Sequence, residues 1–80
     1  RKIIEQVKAV EGVSNPHKIR VRKMAHLYLI TLDIEVAGTI PLEQAHALSA
    51  LVEKNIKSNL PNVYDVLIHV EPVGNCEENE

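Results

Sequence analysis

The spacing of apolar residues switches between helical and extended periods along the chain, and each switch marks an element. Ile3, Ile4, Val7 and Val10 recur at helical spacing, and Gly12 stands where a left-handed helix cap belongs. Ser14-Asn15-Pro16 reads as a turn. From His17 to Ala37 the pattern is extended, with Ile19 and Val21 and then Ile30, Leu32, Ile34 and Val36 at every second position. Met24-Ala25-His26 is the expected hairpin bend, although it lacks a strong turn dipeptide. Gly38-Thr39 ends the second strand. Pro41 suits the first turn of a helix and Glu43 favours its dipole. Leu42, Ala45, Leu48, Val52 and Ile56 make that helix's apolar stripe, and Leu60-Pro61-Asn62 closes it. Residues 63–71 form a last strand. Val66, Ile68 and Val70 face one way there, and Asp65, Leu67, His69 and Glu71 the other, with Pro72 expected to stop the pairing.

The order is therefore α-β-β-α-β. A hairpin makes the first two strands antiparallel, and the second helix is a crossover long enough to make strands two and three parallel and adjacent. Both helices then cover one face of a three-stranded mixed sheet. This is an α+β, ferredoxin-like fold lacking its first strand. Residues 1–72 make the domain, and residues 73–80, polar and acidic, read as a disordered tail. Leu27, Leu29 and Leu67 fall on the sheet face without helices, which predicts a homodimer through or beside that face.

Composition narrows the function. Eighty residues are close to the lower limit for a self-sufficient core. The apolar residues are almost all aliphatic, with two tyrosines and no Phe or Trp, so there are few platforms for stacking bases. A net charge of −2 gives no footprint for phosphate backbones, and Lys18, Arg20, Arg22 and Lys23 read as a solvated strand edge. No apolar run approaches the length that crosses a bilayer. The chain begins at Arg1 without a methionine and carries no signal peptide, so it reads as a piece of something longer. The single Cys76 lies in the acidic tail, rules out an internal disulfide, and fits a reducing compartment.

The topology also makes a chemical statement. Strands two and three run parallel, so Asp33 and the pair His69 and Glu71 end on the same side of the sheet. Helix two starts there, which brings His46 near that edge, and antiparallel strand one begins there with His17. Three histidines and two carboxylates on one rim are a metal-site constellation of the borderline N/O class. His26, in the hairpin bend at the other end, is excluded. Strict alternation puts His17 on the side of Ile19 and Val21, opposite Asp33. It joins the rim only if the chain before Lys18 is already a turn, as Pro16 favours.

Gly12-Val13, His17-Lys-Ile-Arg-Val-Arg, Ile30-Thr-Leu-Asp-Ile-Glu, Pro41-Leu-Glu-Gln-Ala-His46 and Asp65-Val-Leu-Ile-His-Val-Glu-Pro72, in that order, resemble the C-terminal cytosolic domain of cation diffusion facilitator transporters. The similarity covers residues 3–72. It implies a metallochaperone-like domain below a transmembrane transporter, a homodimer, and regulatory zinc bound between protomers. Position by position it implies His17, His46 and His69 as ligands. Glu71 stands where relatives often have Asp, and Asp33 where a zinc-binding relative has His. That harder oxygen donor leaves room for manganese, cobalt or iron(II) beside zinc. Glu35, on the face of Asp33, reads as a solvated or interface residue.

Two other classes compete. A small-molecule-sensing domain of ACT type also lays helices on one sheet face, but needs a glycine-containing ligand loop; Gly12 and Gly38 are available, and Gly38-Thr39 offers no obvious anion nest. A hydrolytic metalloenzyme needs an open coordination position inside a pocket, for which a two-layer domain of this size leaves little room. Ser14, Ser49 and Ser58 have no base fixed by sequence, so no catalysis is expected.

Overall fold

A computed structural model describes residues 2–74. The elements are α1 (Lys2–Lys8), β1 (Ser14–Met24), β2 (Leu27–Val36), α2 (Leu42–Asn59) and β3 (Val63–Pro72). The sheet order is β1-β2-β3, with β1 antiparallel and β3 parallel to β2. This is the α-β-β-α-β order expected from the apolar periods.

The core lies between the inner sheet face and the two helices. Ile30, Leu32 and Ile34 of β2 and Val66 of β3 pack there against Val7, Val10, Val52 and Ile56. Every second residue of β2 is sealed because the central strand has neighbours on both sides. α1 is shorter than its apolar spacing suggested. It ends at Lys8, and the chain continues in tighter turns, Val10 N–H to Val7 O at 3.1 Å and Val13 N–H to Val10 O at 3.3 Å, which still bury Val10. Gly12 has φ 97, and a methyl group there would meet Leu48 Cδ1 at 3.4 Å.

Three expectations need correction. Ser14-Asn15-Pro16 is not a free turn but the start of β1, where proline is tolerated because the strand is a sheet edge. Pro72 does not stop the pairing: it lies opposite Val36, and the next residue, Val73, donates its N–H to Val36 O at 2.8 Å. A proline removes only its own donor, and the ladder resumes one residue later. Leu42 is 86% exposed and leaves the helix stripe to Leu48, Val52 and Ile56, with Leu60 packing beside them from the C-cap. Most of the acidic tail, with Cys76, lies outside the described residues.

Candidate metal centre

The outer face of the sheet, which carries no helix among the described residues, is laid out by register. Across β1, β2 and β3 the rows read Arg22, Leu29, Asp65; then Arg20, Thr31, Leu67; then His17, Asp33, His69; and Glu35 beside Glu71 at the end. Leu27, Leu29 and Leu67 therefore do lie on that face, with Leu67 52% exposed. The imidazoles and carboxylates gather at the end where β2 and β3 finish.

His17 reaches this row through an irregularity that strict alternation does not foresee. The β1–β2 register shifts on both sides of His17, and Asn15 and Lys18 adopt positive φ of 49 and 52. A residue in the left-handed region reverses the side-chain alternation locally, as a bulge does. Ile19 and Val21 keep their inner positions while His17 is turned outward over Asp33.

The donor atoms then converge. His17 Nε2 lies 3.5 Å from Glu71 Oε1 and 3.9 Å from Asp33 Oδ2. One ligand atom from each of His17, Asp33 and Glu71 falls within 4.8 Å of the other two. Such separations are too long for good hydrogen bonds. The 3.5 Å separation is also that of donors around a small cation, since ligands bound at 2.0–2.2 Å in a tetrahedron stand about 3.3–3.6 Å apart, and the 3.9 Å one is somewhat longer. One imidazole and two carboxylates also form a donor set that zinc, manganese, cobalt and iron(II) all accept.

The remaining candidates are placed differently. His69 Nδ1 stands 3.3 Å from Asp33 Oδ1, on the side of that carboxylate away from His17, and its side chain is 78% exposed. It is next to the triad and not part of it. His46, exposed on α2, lies in an open groove of about 500 Å³ with Ile68, Val70, Glu71 and Pro72. Its ring is not among the clustered donors of this chain. Asn15 contributes twice. Its carbonyl accepts from His17 Nδ1 at 2.7 Å, and its side-chain amide donates to Glu35 Oε2 at 2.8 Å. The available signal was asparagine's tolerance of positive φ.

Electrostatics reinforce the cluster. Asp33 is 7% exposed although it sits on the open face, because its neighbours roof it. The His17 imidazole is held above its ordinary pKa, chiefly by the hydrogen bond to Asn15 O, then by the charges of Glu71, Asp33 and Glu35, against desolvation acting the other way. The carboxylates among these groups would draw a divalent cation by the same fields.

Among the described residues no helix is long and apolar enough to cross a membrane. The chain is 37% identical over 70 residues to the cation-efflux pump FieF of Cronobacter sakazakii, covering 88% of this chain and 23% of that protein. It thus spans about a quarter of the length of the curated relatives it matches. Among solved structures it is similar to the metal-bound C-terminal domain of the CzcD transporter from Thermotoga maritima, with a TM-score of 0.83 and 36% identity over 95% of this chain and 93% of that one. A cytosolic domain of a cation diffusion facilitator family protein gives a TM-score of 0.87 at 36% identity, over 92% and 88% of the two chains. A family model described as "Cation efflux protein, cytoplasmic domain", with dimer in its short name, matches residues 1–73. With strand register, fold and sequence in agreement, the chain belongs to the family of cation efflux protein cytoplasmic domains, which is not a family of enzymes.

Proposed function

We propose that this domain is the regulatory, dimer-forming cytoplasmic part of a divalent-cation efflux transporter whose membrane-spanning part belongs to the same polypeptide. The observation that carries the reading is the convergence of His17, Asp33 and Glu71, from all three strands, on one point of the outer face. These residues would hold the cation, zinc in first place, with manganese, cobalt or iron(II) as the other candidates. A bound divalent ion supplies charge compensation for Asp33 and Glu71, two carboxylates that otherwise share one rim.

His69 and His46 complete the assignment. His69 needs only a change of rotamer to leave Asp33 Oδ1 and offer a nitrogen, and its exposure permits that. His46 serves the site from a second copy of the chain, which makes the site an element of a homodimer. The word dimer in the family model's name and the metal-bound CzcD domain support this reading. Between two copies, carboxylate-rich rims repel until a cation compensates them. Metal therefore favours a closed arrangement of protomers over an open one, and the transporter responds to cytoplasmic metal through that population shift.

Calorimetric titration of the purified domain with zinc, manganese, cobalt and iron(II) salts, wild type against Asp33→Asn, tests the assignment. Saturable binding of at least one metal, weakened at least tenfold by the isosteric substitution, is expected. Absence of binding by all four, or equal binding by both proteins, would remove the metal from the domain's function.

A further inference from the structure

We propose that Asn15 is the positioning residue of the metal centre, selecting by its backbone carbonyl the nitrogen of His17 that meets the metal. The inference rests on the metal-binding reading and adds what that reading leaves open, namely which imidazole atom ligates and what holds it there. A carbonyl oxygen only accepts hydrogen bonds. The 2.7 Å contact between His17 Nδ1 and Asn15 O therefore fixes the proton on Nδ1. In the neutral ring this leaves the lone pair on Nε2, the nitrogen that faces Asp33 Oδ2 and Glu71 Oε1.

The carbonyl is itself anchored. Asn15 has φ 49, and asparagine is among the few residues that adopt this conformation readily. Its side-chain amide donates to Glu35 Oε2 at 2.8 Å, tying the irregular start of β1 to the central strand. Lys18, at φ 52 on the other side of His17, completes the reversal that turns the ring outward. The arrangement is a ligand oriented by an outer partner, a type of contact whose loss usually lowers metal affinity by about 10–100-fold.

Two substitutions at Asn15 separate backbone from side chain. Asn15→Gly keeps access to positive φ and keeps the carbonyl, whereas the β-branched Asn15→Val resists that conformation and moves the carbonyl away. Long-range nitrogen–proton NMR correlations of the metal-free domain, above the His17 titration, read the tautomer directly. Calorimetry with zinc reads affinity. Wild type should show the Nδ1–H form. Asn15→Gly should keep that form and lose less than about tenfold in affinity. Asn15→Val should show mixed tautomers and lose about 10–100-fold. Wild-type His17 protonated on Nε2 would overturn the proposal whatever the variants do, as would zinc binding by Asn15→Val with unchanged tautomer and affinity. A wild-type protein that keeps the Nδ1–H form but binds none of zinc, manganese, cobalt and iron(II) would instead overturn the metal-binding reading, and the positioning role with it.

Discussion

His17 and Glu71 stand on strands that do not pair, yet His17 Nε2 lies 3.5 Å from Glu71 Oε1, above Asp33 on the strand between them. Two strand spacings, about 9–10 Å, separate their strands, and Glu71 lies beside Glu35, two residues along β2 from Asp33. The approach requires both side chains to lean inward over the central carboxylate, and a cation between them would satisfy all three groups at once.

Metal should stabilise the folded domain, since the three donors come together only in the fold. Zinc at about a hundred times its Kd should add roughly 2.7 kcal/mol, or about 10–20 °C in Tm for a domain of this size. Thermal unfolding followed by circular dichroism measures the shift. Asp33→Asn and His17→Ala should remove most of it, and His26→Ala almost none. Equal effects of His17→Ala and His26→Ala would refute the site.

The pH response has two opposed signs. The folded pKa of His17 lies above its ordinary 6.5, so its protonation stabilises the metal-free fold. That contribution is complete below the unfolded value and is lost as pH rises through the folded one. Ligation instead requires the deprotonated ring, so the zinc-induced shift should grow over the same window above 6.5. Unfolding curves from about pH 6 to 9, with and without zinc, check this. A gap that stays constant with pH, or a metal-free slope unchanged in His17→Gln, contradicts the assignment.

Core and exposed leucine-type positions on α2 should behave unlike one another. Ile56 is fully buried and Leu42 is 86% exposed. Ile56→Ala should cost about 2–5 kcal/mol, a large part of the stability expected of so small a domain. Leu42→Ala should fall within about 0.5 kcal/mol of wild type. Urea unfolding of both variants decides the matter, and comparable losses would mean that the first turn of α2 is packed after all.

Association should depend on the outer face. Leu67, 52% exposed beside Thr31, is the apolar position where a charge would interfere most directly with a second copy. Sedimentation at tens of micromolar should find a dimer that Leu67→Lys weakens while the helical signal persists. In the wild type, His46→Ala should lower zinc affinity; in a monomeric Leu67→Lys background it should have no effect. A wild type that remains monomeric with and without zinc removes the dimer reading.

Gating can be read as a distance. Spin labels at Ser14→Cys, in a Cys76→Ser background, report the separation of the two rims in the dimer. Zinc should shorten or narrow the distribution, and His46→Ala should blunt the change. Saturating metal with unchanged distances would reduce the site to a store or a clamp.

Periodicity alone determined the element order, the layer arrangement and the end of the sheet where chemistry gathers. From Leu29 and Asp65 onward the β2–β3 register is regular, and a parallel crossover fixes which strand ends coincide, so Asp33, His69 and Glu71 lie at one end of the sheet. His17 was assigned to that rim against the alternation of its own strand. Only the tertiary structure decided how it gets there, because positive φ at Asn15 and Lys18 accompanies shifted pairing with β2 and leaves no mark in an apolar pattern. The same holds for Leu42 and Pro72. Helical spacing says which side a residue faces but not whether anything stands opposite, and a proline's effect on a ladder depends on the neighbour's next donor. Grouping His46 with the other donors was the step that topology could suggest and one chain does not accomplish. A helix start near a strand end fixes proximity to within a turn or two, whereas ligation is decided over ångströms.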